Sequence, residues 1–286
     1  MAILDRPRAG LARVVRHRIA GDRFAEEHAR IWFTPGERWF RPTDAIWRVH
    51  ADTAMMIGGI RALLLQSLHP AAMLGVSEHS GFRGDPWGRL HRTSAYLAMT
   101  TYGAVPDAER SIRVVRAIHR RVRGTMPDGT PYAADDPHLL TWVHVAEIDS
   151  FLTTHQAFGA DRLTAAEADD YVRQTGEVAE RLGVPDPPRT TAELAALLAA
   201  YRPELRSSEP AREAADLLLR HPPLPLPARP AYAVLAAGAI SVLPAWVRLE
   251  LRLPTLPVTD RVLVQPLARS ASGVIRWALS SPPVPG

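Results

Sequence analysis

The chain has no cysteine and no lysine. Without cysteine it cannot form disulfides, zinc fingers, thiolate-ligated haem, Cys-ligated iron–sulfur clusters or a cysteine nucleophile. The absence also removes the usual mark of secreted domains and fits a reducing compartment. Every one of the 34 basic residues is arginine, which excludes Schiff-base chemistry, a P-loop lysine and a lysine general base. There is no H-E-x-x-H and no G-x-S-x-G. Met1 to Arg18 is basic but lacks the apolar core of a signal peptide, so a cytoplasmic protein is expected. The longest apolar stretch, Ala231 to Val247, is interrupted by Pro244. It reads as a buried or interfacial helix rather than a membrane span.

The 286 residues are 47% hydrophobic and 22% charged, enough to build a sizeable soluble core. The formal charge is +4, with arginines scattered rather than striped. No motif supports nucleic-acid binding, whereas contact with an anionic membrane surface fits the basic balance. Helical periods dominate, strand-like alternation is scarce, and there is no internal repeat. Helices are expected near 8–18, 20–32, 44–67, 69–75, 86–102, 107–123, 136–158, 164–182, 190–201, 207–220, 230–241, 243–251 and 259–279. Asp135-Asp136-Pro137 reads as an N-cap with a proline at the first helical position. Thr164 with Glu167, and Thr190 with Glu193, have capping-box spacing. Pro222 to Pro227 reads as an extended connector, and Ser280 to Pro283 as a frayed tail. The expected architecture is a single all-α domain over 1–286. Its core covers about 45–222, and an apolar C-terminal helical hairpin extends from about 223 to 286.

The segment from Ser111 to Gly124 carries the best functional clue. Ile112, Val115, His119 and Val122 fall on one helical face, and arginines cover most of the rest. Gly124 then supplies a stop. A neutral imidazole on an apolar face is a good iron ligand, and nearby guanidinium groups suit propionates. The competing reading is a core histidine bonded to a backbone carbonyl. Other histidines cluster between His69 and His155. His69-Pro70 marks a helix junction, and Glu78-His79-Ser80 reads as a loop between Gly75 and Gly81. Arg89, Arg92, Thr93 and Tyr96 share a face of the helix that starts after Asp85-Pro86. His144 and Glu147 have the spacing of one di-iron helix, but in reversed order and with no second copy. Asp135-Asp136 and Asp169-Asp170 raise an isoprenoid-synthase alternative, although a cap and a solvated face explain them.

In order and spacing, the run from Leu63 to Val76, then Glu78-His79, Asp85-Pro86, Arg89 to Thr93, Val114 to Gly124, Tyr132 to Pro137 and Trp142 to His144 resembles the DUF2236 family. That family includes latex-clearing rubber oxygenases and fungal MpaB-type oxygenases. The resemblance is strongest over residues 45 to 160. It implies a globin-like haem b protein, with His119 in the His-x-x-Val-Arg pattern as proximal iron ligand and Arg123 closing that pattern. It places Arg89 and Thr93 on the distal side. Where rubber oxygenases carry a distal lysine this chain has Arg92, which stays protonated and cannot readily ligate iron. Arg92 would instead hold a propionate or polarise dioxygen. His144 also matches a family position, beside the cofactor. His69 and His79 match positions of structural character. The implied activity is oxygenation of a lipophilic small molecule by dioxygen or peroxide, for example oxidative cleavage of an isoprenoid alkene. A non-catalytic helical binding protein at a membrane, with structural histidines, is the alternative from a different class.

Overall fold

A computed structural model describes residues 24–79 and 85–279. The helix expected at 8–18, Ser80, Gly81 and the tail from Ser280 lie outside them. The fold is all-α, with one two-stranded hairpin among the described residues. In chain order the helices are α1 (Phe24–Phe33), α2 (Ala45–Ala51), α3 (Ala54–Gln66), α4 (Pro70–His79), α5 (Pro86–Tyr102) and α6 (Val105–His119). The strands β1 (Arg123–Thr125) and β2 (Pro131–Ala133) follow. Next come α7 (Pro137–Phe158), α8 (Ala165–Leu182), α9 (Thr191–Tyr201), α10 (Glu209–Leu219), α11 (Arg229–Ser241), α12 (Ala245–Glu250) and α13 (Gln265–Leu279). A single π-turn, Asp260–Val264, leads into α13.

Caps explain most of the helix starts. The Asp85 side chain accepts from Gly88 N–H, Asp136 from His138 N–H, and Ser208 from Ala211 N–H. Thr164 and Glu167 form the complete capping box. Thr190 caps α9 by accepting from Glu193 N–H, but Glu193 reaches the backbone N–H of Arg189 instead of closing the box.

Three expectations need correction. The helix expected over 44–67 is broken at Asp52-Thr53. The Asp52 carboxylate accepts from Ala54 N–H (2.7 Å) and Ala160 N–H (3.0 Å) and pairs with Arg276 (2.8 Å), so the chain turns around it. Glu78 and His79 are the last turn of α4 rather than a loop. The helix expected over 107–123 stops at His119, and Gly124 is not its stop but the centre of β1. Arg123 pairs with Ala133, Gly124 with Tyr132 and Thr125 with Pro131. Glycine is required there, because a Cβ at 124 would sit 2.5 Å from the Tyr132 hydroxyl oxygen.

The centre of the molecule is the crossing of α3 and α7. Ile57, Leu64 and Leu65 of α3 and Trp142, Ala146 and Phe158 of α7 are fully or nearly fully buried in one apolar cluster. Leu235, Ala236 and Ala239 of α11 and Ala268 of α13 join the same cluster, so the C-terminal helices share the core of α3 and α7. The apolar stretch 231–247 is divided between α11 and α12 at Pro244. Among the described residues no helix is long and apolar enough to cross a membrane. A second cluster joins α2, α7 and α8 through Ile46, Val49, Ile148, Phe151, Tyr171 and Val172. Arg61, 2% exposed, threads between these layers. Its guanidinium bonds Asp149 and Ser150 at 2.7 Å each and the Val242 carbonyl at 3.2 Å.

Two adjacent glycines in α3 test this crossing. A Cβ on Gly58 would lie 2.7 Å from Thr154 Oγ1 and 2.9 Å from Phe151 Cδ1, whereas one on Gly59 meets nothing within 4 Å. Gly58→Ala should lower the unfolding free energy by about 1–3 kcal/mol through overpacking. Gly59→Ala should raise it by up to about 1 kcal/mol through helix propensity. Denaturant titration of both variants checks the pair. Equal effects would mean that the helices do not approach most closely at Gly58.

Candidate functional site

Helices α5 and α6 pack along each other around the turn at Gly103-Ala104. The turn is tight, since a Cβ on Gly103 would meet Met99 Sδ at 2.4 Å. Ala104 caps α6, and Val105 N–H bonds the Glu37 carbonyl at 2.8 Å. Arg89 lies thirteen residues before the end of α5, and His119 fourteen residues after the start of α6. At ~1.5 Å per residue both are about 20 Å from the turn. Arg89 and His119 therefore both lie far from the turn, near the outer ends of the two helices.

His119 is the last residue of α6 and is half-buried. Burial lowers its pKa below the ordinary histidine value, and the Asp135 carboxylate opposes the shift. The result is an imidazole held neutral at neutral pH, with a lone pair available. Asp135 also accepts from Arg123 at 3.0 Å. The hairpin β1–β2 brings these residues together, because its register sets Arg123 opposite Ala133, two residues before Asp135. Tyr132 in β2 donates to Glu78 Oε2 at 2.5 Å and so fastens the hairpin to the end of α4. Burial and the bond to Glu78 push the Tyr132 phenol up to about 12.

Arg89 is largely enclosed. Burial, with the neighbouring charge of Arg92, pulls its pKa down to about 10, which still leaves it cationic at neutral pH. Arg92 and Thr93 lie on the open side of α5, and Arg92 pairs loosely with Asp85 at 3.5 Å. The spacing i, i+3, i+4 that puts the three on one broad face thus spans a gradient from enclosed to open. Tyr96, two turns beyond Arg89, is close enough to Glu147 of α7 for the carboxylate to raise its pKa further above the value that burial imposes. Its hydroxyl is buried without a hydrogen-bond partner. Burial pushes the Glu147 carboxyl up to about 7, although part of the residue's surface remains accessible. Tyr96 of α5 and Glu147 of α7 thus lie near each other, with the Tyr96 hydroxyl left unsatisfied by protein atoms.

His144, one turn before Glu147, is buried, and its Nε2 has no partner. Burial, with Arg189 adding to it, brings its pKa down to about 4. The charged neighbour of His144 is thus Arg189, whereas that of His119 is Asp135: the two imidazoles answer to different surroundings. The sequence pattern explains Asp135 as part of a cap or, in the isoprenoid-synthase alternative, of an acidic pair, and does not connect it with His119. Its one available signal was that Asp136 alone suffices to cap α7, which leaves a carboxylate to spare. The pairing of Tyr132 with Glu78 had no signal, because it crosses 54 positions in sequence.

The family described as ER-bound oxygenase mpaB/B′/rubber oxygenase, catalytic domain, matches residues 47–277. The matched span runs from α2 to the last turn of α13 and so takes in the C-terminal helices as well as the His119 region. Two uncharacterized proteins, one from Mycobacterium bovis and one from Mycobacterium tuberculosis, are each 30% identical to the chain over 128 residues. That alignment covers 43% of this chain and 50% of either relative, so the chain spans about half the length of the curated relatives it matches. No solved structure matches. With an all-α fold whose core the matched residues build, this chain belongs to the mpaB/rubber-oxygenase family of oxygenase catalytic domains.

Proposed function

We propose that the chain is a haem b-dependent oxygenase acting on a lipophilic small molecule, with oxidative cleavage of an isoprenoid or other alkene as the reaction class. The observation that carries this reading is the half-buried imidazole of His119 at the end of α6, kept neutral by burial, with the Arg123–Asp135 ion pair beside it. The donor set fits haem. A neutral imidazole is the usual protein ligand of haem b iron, and the guanidinium groups of Arg92 and Arg123 suit its propionates. The buried Tyr96 hydroxyl and His144 Nε2 lack protein partners, which leaves both free to meet a bound group. His119 would hold the iron, and His144 and Arg123 would flank the cofactor. Bound there, haem would supply the activation of dioxygen or peroxide that carbon–carbon double-bond cleavage needs.

The chain's own contribution is positional and protonic. Arg89 supplies fixed N–H donors in an enclosed site, where such donors stabilise developing negative charge most strongly. Arg92 and Thr93 offer further donors towards the open side. The Glu147 carboxyl, with a pKa of about 7, can hold or release a proton near neutral pH. A lipophilic substrate would arrive from a membrane surface. Leu256, Val258, Val262, Leu263 and Leu267 are exposed along the π-turn and the start of α13, with Arg252, Arg261 and Arg269 exposed beside them. That combination suits peripheral contact with anionic lipid on the cytoplasmic side.

The purified protein should show a Soret band and a b-type pyridine haemochrome. His119→Ala should lose the haem while keeping its helical circular dichroism. Folded protein without a Soret band after incubation with haemin would favour the non-catalytic alternative. Haem lost in His144→Ala but kept in His119→Ala would reassign the ligand.

Arg89→Ala should retain haem and slow oxygen uptake with an isoprenoid alkene by roughly 10²–10³, the usual cost of one oxyanion donor. An unchanged rate would remove Arg89 from the site.

Glu147 has a raised pKa in the fold, so its charged form destabilises the native state. The penalty is absent below the ordinary glutamate value of 4.5, grows as pH rises, and is complete above about 7. Discounted for the accessible part of the residue, it amounts to about 1–3 kcal/mol. Glu147→Gln should therefore be more stable than the parent at pH 8 and equally stable at pH 4, by denaturant titration at both. Parallel curves would show that Glu147 is solvated.

A further inference from the structure

Away from the α5–α6 hairpin, three chain segments that are distant in sequence bring two imidazoles and one carboxylate together. His69 lies at the junction of α3 and α4, His138 in the first turn of α7, and Glu204 in the 3₁₀ turn Arg202–Glu204 that follows α9. His138 Nε2 is 2.8 Å from Glu204 Oε2, and His69 Nε2 is 3.5 Å from the same oxygen. One ligand atom from each residue lies within 4.8 Å of those of the other two. We infer that His69 Nε2, His138 Nε2 and Glu204 form a binding site for a divalent transition-metal ion of the zinc class. The inference is independent of the haem reading and uses none of its residues.

Three observations support the site. His69 is 6% exposed, and its Nε2 is buried without a hydrogen-bond partner, since 3.5 Å to Glu204 is a charge contact rather than a bond. A buried nitrogen left in that state costs stability, and a metal ion would satisfy it. Second, the far side of His138 is anchored. Its Nδ1 lies 3.3 Å from the Tyr201 hydroxyl, which itself donates to the His138 carbonyl at 2.8 Å. Such outer contacts orient a ligating ring. Third, two imidazoles and one carboxylate are a donor set that zinc takes with a water in the fourth position.

The geometry needs only a small closure. Zn–N and Zn–O bonds of about 2.0–2.2 Å bring ligand atoms closer together than 4.8 Å. His138 and Glu204 have half-exposed side chains and can move inward, while His69 is fixed by its burial. The Ala72 N–H lies 3.5 Å from His69 Nδ1, at the outer limit of a hydrogen bond, and does not fix the tautomer. A metal at this point would join the α3–α4 junction, the start of α7 and the end of α9.

The test uses Co²⁺ and Zn²⁺ on the full-length, chelator-treated protein. Titration with Co²⁺ should give one equivalent per chain, with the visible d–d bands of a four-coordinate ion, and Zn²⁺ should displace it. His138→Ala and Glu204→Gln, both at half-exposed positions, should fold with unchanged circular dichroism and bind Co²⁺ at least about tenfold more weakly. The Soret band, which reports haem alone, separates this outcome from any failure of the oxygenase reading. The proposal is overturned if Co²⁺ leaves the spectrum of the parent protein unchanged. It is equally overturned if both variants bind with parental affinity, because the ion would then lie among other histidines.

Discussion

The close crossing of α3 and α7 is the constraint on which the other elements depend. Gly58 lets the two backbones approach until the Thr154 hydroxyl and the Phe151 ring fill the place of a side chain. Three residues on, Arg61 uses the same approach to reach Asp149 and Ser150 and then extends to the Val242 carbonyl. A charge as enclosed as Arg61 is tolerated only because its donors are matched. The crossing therefore fixes the rotation of α7 about its axis as well as its distance from α3. That rotation decides which side of α7 faces α5, and so where Glu147 stands relative to Tyr96. The same crossing holds α11 and α13 in the main core.

Much of this was legible in the sequence. Caps are local, and the side chains of Asp85, Asp136, Thr164 and Thr190 act where their spacing indicates. The all-α fold follows from the helical periods, and family membership from the joint order of weak motifs between Leu63 and His144. The failures occurred where a distant partner overrode a local pattern. Nothing near Asp52 indicates that Ala160 and Arg276 will claim its carboxylate and split a helix. The apolar period carries on through Val122, but the strand bonds to 131–133 take the backbone first.

Within the candidate site the division is similar. The helical face holding His119 was visible, and so was the common face of Arg89 and Tyr96. Burial was not visible, and burial is what separates Arg89 from Arg92 and raises the Glu147 carboxyl. The grouping of His69, His138 and Glu204 was also hidden, because each was explained locally: a junction before proline, a residue following a cap, and a polar residue in a short turn.

The position of His119 at a helix terminus has one further consequence. A side chain in mid-helix moves only if the whole helix moves, whereas a terminal one is steered by whatever follows it. Here that is the β1–β2 hairpin, closed by a turn in which Gly129 has a φ of +88° and pinned to α4 by Tyr132 and Glu78. The turn around Pro127 to Gly129 is exposed, so residues can be added or removed there without disturbing the buried core. A shift of pairing by one position would turn Tyr132 to the opposite face and release it from Glu78. The hairpin is thus an adjusting screw on His119: a change in the surface turn would reset the depth of the imidazole while the packing of α3 on α7 stays untouched.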